Sequence, residues 1–322
     1  MNIRTFAALL TAAMTCFSSA GALAQYPAKP VRLIVAAAPG GSTDVLGRVL
    51  GQRLGDRLKQ PFVVENRGGA AGVVAAEFVA KAPADGYTIM MTNDQLVMQA
   101  SAASRLSYDP IKDFTPIGIM ARGPVVLGVH PSVQATSVRE LVALARAQKG
   151  KLAFTSCGNG TILHFAGELL NQAAGIDLAH IPYKGCAPAM ADVVAGQVPI
   201  FFTVLGNAVA HQKAGKVRLL GVASLQRLSS FPDLPTIAES GFPGYDAYPW
   251  FGVLGPAQMP RDVIGKLAAE ITAAVGVPAV SERIRGFYLE PTTATPEAFG
   301  EIMKSDLARW TRVVRQAKIK ID

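Results

Sequence analysis

Val31-Arg32-Leu33-Ile34-Val35-Ala36-Ala37-Ala38-Pro39-Gly40-Gly41-Ser42-Thr43-Asp44 decides the fold. The apolar run Val31 to Ala37 reads as a strand covered on both faces, and apolar residues then recur at helical spacing from Val45 to Leu58. Between them lies a glycine turn. A strand, a tight turn and a helix start bring unpaired backbone N–H groups and the positive end of a helix dipole into one small volume, which suits an anion. The same arrangement returns at Thr155-Ser156-Cys157-Gly158-Asn159-Gly160-Thr161, before a helix expected over Ile162 to Ala173. Two such loops, in the first and middle thirds of the chain, are expected to belong to two lobes facing one cleft and to clamp a small carboxylate.

Outward from these loops, strands and helices alternate. Phe62 to Asn66 and Tyr87 to Met91 read as strands, with a glycine turn at Gly68 to Gly72 and a helix from Val73 to Lys81. This alternation predicts an α/β fold with a doubly wound parallel sheet, its ligand crevice beyond the carboxyl ends of the strands, where Gly40, Gly69 and Asn93 converge. A second series starts at Val125 to His130 and runs through a helix over 137–148, a strand over 151–155 and strands at Val198 to Phe202 and Val217 to Ala223. A turn-rich stretch from Ser229 to Pro249 leads to helices at Arg261 to Ala274 and Pro296 to Ala317. The late helices rejoin the first lobe, so the expected division is 25–124 plus 225–322 for lobe one and 125–224 for lobe two, with two crossings and a hinge.

The first 24 residues have the form of a secretory leader, with Arg4, an apolar stretch from Phe6 to Phe17, and Ala22-Leu23-Ala24 before the cleavage point. Cys16 lacks a lipobox before it. No later apolar stretch is long enough to cross a bilayer. The net charge of +8 favours anionic partners, yet the basic residues are scattered, which argues against nucleic acid and for small anions. No Gly-x-Ser-x-Gly elbow, Walker A loop, Gly-x-Gly-x-x-Gly fingerprint or His-Glu-x-x-His is present, and neither a cofactor nor a metal is expected. Cys157 with His164 could imitate a nucleophile and base, but no third orienting residue is apparent, so catalysis is not expected.

Several segments together carry a family resemblance: Tyr26-Pro27-Ala28-Lys29-Pro30-Val31-Arg32, Ala38 to Asp44, Glu65-Asn66-Arg67, Asp85-Gly86-Tyr87-Thr88, Asp113-Phe114-Thr115-Pro116, Gly158 to Thr161 with His164, and Pro182-Tyr183-Lys184-Gly185. In this order and over nearly the whole chain they resemble the Bordetella uptake gene family, the solute-binding proteins of tripartite tricarboxylate transporters. The resemblance implies a monomeric periplasmic Venus flytrap that hands a carboxylate to membrane permease subunits. A ligand-sensing receptor for a signalling ectodomain would need the same closing lobes. It also implies that carboxylate-binding loops fall on Gly40 to Thr43 and Thr155 to Thr161, with ordered waters bridging ligand and lobes. Two departures stand out: Ala37, where relatives carry a bulky aromatic, and Thr203 after Phe201-Phe202, where they carry Asp. Both would suit a larger or more anionic ligand.

The expected ligand residues are therefore Gly40, Gly41, Ser42, Thr43, Asn93, Thr155, Ser156, Gly158, Gly160, Thr161, His164, Tyr183 and Thr203. The glycines are also the cheapest residues for a turn with positive φ. Asp44 would repel an anion and is expected to cap N–H groups instead. His164 either contacts the anion or fixes its helix, Lys184 is expected in solvent, and Trp250 either covers the cleft or belongs to the core. Cys157 and Cys186, the two cysteines after the leader, either pair in an oxidising compartment or stay as buried thiols.

Overall fold

The computed structural model describes residues 26–102, 106–317 and 319. The leader and Cys16 lie outside them.

Strands β1 (Val31–Val35), β2 (Phe62–Asn66) and β3 (Thr88–Asn93) alternate with helices α1 (Ser42–Leu58), α2 (Val73–Ala80) and α3 (Gln95–Ala102). Strand β4 (Phe114–Arg122) then leads to a second body of β5 (Val125–Val129), α4 (Val138–Ala147), β6 (Ala153–Ser156), α5 (Ile162–Ala174), β7 (Ala179–Pro182), α6 (Cys186–Val194), β8 (Ile200–Val204), α7 (Leu205–Lys213) and β9 (Arg218–Val222). The chain returns to the first body as β10 (Trp250–Pro256), α8 (Arg261–Val275), α9 (Pro278–Gly286), β11 (Glu290–Ala294) and α10 (Pro296–Ala317). The sheets have the orders β11-β4-β10-β3-β1-β2 and β7-β6-β8-β5-β9.

Both sheets are mixed rather than wholly parallel. β1, β2 and β3 run parallel, as do β6, β7 and β8, but β10 is antiparallel to β3 and β4, and β5 is antiparallel to β8 and β9. Strands β10 and β5 are the first formed after each crossing between lobes, and a chain arriving from the other lobe enters its sheet from the cleft end; β11, antiparallel to β4 at the sheet edge, runs in the same direction as β10. The buried apolar composition of β10 and β5 is the same as that of a parallel strand, so the pattern does not reveal direction.

Local sequence sets the helix ends. Ser137 caps α4 by accepting the Glu140 N–H, while the Glu140 carboxylate takes the N–H and hydroxyl of Thr136. Thr161 caps α5, and Gly175 closes it in the left-handed conformation. Gly167 has a packing role: a Cβ there would lie 2.1 Å from the Phe154 ring, so only glycine lets α5 rest on β6. Gly167→Ala is expected to cost about 1 to 3 kcal/mol through overpacking. Denaturant unfolding measures it, with the free energy lower at unchanged m-value.

The crossings are tied to each other, with Gly123 N–H donating to Pro249 O at 2.9 Å and Ala247 N–H to Ala223 O at 2.8 Å. Residues just after β9 still pack on the second lobe, where Leu228 and Leu234 share a cluster with Val126, Phe201 and Val222. The 22-residue α10 spans the lobes. Its Trp310 lies 5.6 Å from the Phe165 ring on α5, and its Val313 carbonyl accepts from Gln172 at 3.3 Å.

Candidate carboxylate site

On the first lobe the turn after β1 is exposed from Ala38 to Gly41, and α1 begins at Gly41 without a side-chain cap. The amides opening α1 are therefore free of intrahelical partners, and Ser42 adds a half-buried hydroxyl. Thr43 is buried. Gly40, at φ +94°, is used differently: its N–H donates to Asp44 Oδ2 at 2.9 Å. Asp44 is 3% exposed and also takes Asn66 Nδ2 at 2.8 Å and Arg48 Nε at 3.0 Å. Burial pushes its carboxyl upward, but the Gly40 amide, Arg48 and Asn66 outweigh that and hold it below the usual range. Asp44 is thus a strut that shapes the turn.

A second glycine turn braces the first. Asn66 Nδ2 donates to Ala37 O, and a Cβ on Gly68 would lie 3.0 Å from Ala38 N, so the two backbones touch. Ala70 and Ala71 take φ of 44° and 52°, a strained left-handed conformation for alanine. Sequence reasoning did not assign Asn66 or Arg48 to the site, although Glu65-Asn66-Arg67 was visible as a motif. Asn93 closes β3 two strand places from β2, its Oδ1 accepting the Gln95 N–H. Trp250 is fully buried and donates from Nε1 to Asp306 Oδ2 at 3.0 Å, so it belongs to the core.

On the second lobe the turn after β6 is internally bonded. Thr155 and Ser156 are buried; Ser156 Oγ donates to Gly158 O, and Thr161 Oγ1 donates to Gly158 O at 2.8 Å. Gly160 donates its N–H to His164 Nδ1 at 3.3 Å. His164 and His180 stack face to face at 3.8 Å, beneath the loop. Burial lowers His164 to about 4, and burial together with His164 lowers His180 to about 3, so both rings are neutral at physiological pH. The pair therefore supports the loop.

Three strand ends meet at this loop. A disulfide joins Cys157 to Cys186 at the start of α6, with a Cα separation of 4.3 Å, and Gly185 N–H donates to Cys157 O at 3.0 Å. Thr203 at the end of β8 is buried, lies 3.9 Å from the Cys157 sulfur and accepts Asn207 Nδ2 at 3.2 Å. Tyr183 is half-buried but commits its hydroxyl proton to Asp192, which raises the phenol to about 12. Lys184 is exposed.

The matched placement of the loops, at the carboxyl ends of β1 and β6 in separate sheets, gives each lobe a helix N-terminus: that of α1 has no side-chain cap, while in α5 Thr161 takes the His164 N–H and the two amides before it lack intrahelical partners. Residues 46–319 match the family model described as "Tripartite tricarboxylate transporter family receptor". Protein BugT of Bordetella pertussis is 35% identical over 298 residues, covering 92% of this chain and 91% of its own. An R. palustris protein solved with adipate is 33% identical, covers 92% of this chain and 99% of that one, and superposes with a TM-score of 0.75. A TctC solute-binding protein from Polaromonas, solved with no ligand, is 27% identical over 90% of this chain and 99% of that one, with a TM-score of 0.83. The chain thus belongs to the receptor family of the tripartite tricarboxylate transporters.

Proposed function

We propose that the protein captures a small carboxylate between its lobes in the periplasm, after loss of the leader, and presents it to transporter permease subunits without altering it. The observation that carries this reading is the pair of glycine loops, each opening a helix whose first amides lack intrahelical partners. The adipate-bound relative supports the ligand class. The lobes here fit the unliganded relative better than the adipate-bound one, although the latter is more similar in sequence, which supports reading this structure as the open form. We place the hinge at residues 123–124 and 241–249, with 224–240 moving with the second lobe on which Leu228 and Leu234 pack.

Closure then needs only that the ligand interact more strongly with the closed arrangement. A few charge-assisted bonds to main-chain amides reach micromolar affinity, about −8 kcal/mol. A thermal-shift screen over a carboxylate library tests the reading. Ligand at one hundred times its dissociation constant stabilises by about 2.7 kcal/mol and is expected to be recovered unchanged. Recovery of a converted product, or no stabilisation by any carboxylate, would contradict it.

A further inference from the structure

We infer that Glu290, across the hinge from the glycine turns, sets the carboxylate affinity of the protein by latching the lobes open. This rests on the receptor reading above and names a positioning residue for it.

The strand orders define the two sides of the hinge. The chain crosses between lobes from β4 to β5 and, after β9, back to β10. Strands β3, β1 and β2 lie to one side of β10, and β8, β6 and β7 to one side of β5, and the glycine turns belong to these strands. β11 and β9 are the opposite edges of their sheets. A rotation about the crossings that brings the carboxyl ends of β1 and β6 together therefore draws the start of β11 away from the residues that follow β9.

Those far edges are bonded to each other in this structure. Ser229 and Ser230, in the segment that packs on the second lobe through Leu228, donate their hydroxyls to Glu290 Oε2 and Oε1 at 3.0 and 3.1 Å. Glu290 opens β11 of the first lobe, so one carboxylate spans the lobes. Both are charge-assisted bonds, and they last only while the far edges stay together.

Arg122 is the second partner. It stands opposite Glu290 in the β4–β11 register, yet its guanidinium lies 5.0 Å from the Tyr248 ring and its buried Nε has no hydrogen-bond partner among the described residues. Opposite charges at facing positions of adjacent strands pair favourably. Other carboxylates nearby are committed: Asp246 and Asp306 to Arg309 at 3.1 and 2.7 Å, while Asp94 keeps its proton at neutral pH. Arg122, Ser229, Tyr248 and Glu290 line one cavity of about 440 Å³, which gives the Glu290 carboxylate room to turn. On closure it leaves the serines and takes Arg122. The ligand then has to overcome only the difference between the two sets of partners.

Ser229→Ala/Ser230→Ala removes the latch at two exposed positions and leaves Glu290 and Arg122 in place. Calorimetric titration compares it, as oxidised mature protein, with wild type and with Ser229→Thr/Ser230→Thr, which keeps the hydroxyls. The probes are malate, succinate, adipate and any library carboxylate that stabilises the protein. The alanine variant is expected to bind about fivefold more tightly, because a larger share of it is ready to close, and the threonine variant to bind as wild type does. A mere loss of structure would weaken binding instead. Equal or weaker binding by the folded alanine variant overturns the inference and leaves the receptor reading intact, as does a threonine variant that tightens like the alanine one. A crystal structure of the liganded protein is expected to show Glu290 on Arg122 with both serines withdrawn; serines still bonded to Glu290 in closed lobes also overturn the inference. Silence of the wild type toward every probe sinks the receptor reading and the latch with it.

Discussion

Asp94→Asn is expected to make the protein more stable, by about 2 to 3 kcal/mol near pH 8. Burial and the neighbouring Asp306 push the Asp94 carboxyl up to about 8, only partly offset by Arg122. In the unfolded chain it titrates in the ordinary carboxylate range. The folded state therefore holds a proton that the unfolded state releases, and stability falls as pH rises from about 4 to about 8. Asparagine has no such proton to hold, and its amide can donate toward Asp306 where an ionised carboxylate could only repel. Thermal unfolding of both proteins from pH 4 to pH 9 should show curves that converge at the acid end and separate toward the alkaline end. Parallel curves would mean that Asp94 is ionised in the folded protein. Asp306 does not share this behaviour simply: burial raises it, while Arg309 and the Trp250 indole favour its charged form.

Removing the disulfide has an effect of similar size in the other direction. Cys157 and Cys186 are 29 positions apart, so their bond restricts the unfolded chain by about 3 to 4 kcal/mol in the chain-entropy account. It also ties the glycine turn after β6, which we propose holds the carboxylate, to the start of α6, a few ångströms from Thr203. The double variant Cys157→Ala/Cys186→Ala is expected to melt lower and to bind its carboxylate more weakly, because the loop must then be ordered by the ligand. Pairing the same substitutions with reduced wild-type protein separates the bond from the side chains. If all three proteins melt together, the bridge contributes nothing to the fold.

The strand–turn–helix units were legible because each is local. β1 with α1 and β6 with α5 lie within about thirty residues of sequence, and their apolar runs and glycine turns state their form directly. Asp44 was legible for the same reason, since a carboxylate four residues after Gly40 can reach its amide. Strand direction was not: β10 and β5 are apolar whichever way they run, and their antiparallel setting follows from where the chain re-enters each sheet. Nor was the burial of Asp94, which depends on α10 arriving some two hundred residues later with Asp306. Tyr183 offered a hydroxyl to a ligand, but Asp192 on the next helix receives it in this structure. Long-range partners of this kind leave no trace in local spacing.

The position of a bound carboxylate tests the account most directly, by a crystal structure of the protein with a compound that stabilises it. Capture between the lobes requires one carboxylate group within about 3 Å of main-chain N–H groups from both the start of α1 and the start of α5, with the lobes drawn together. A ligand held by one lobe alone, or lodged away from both glycine turns, would contradict it.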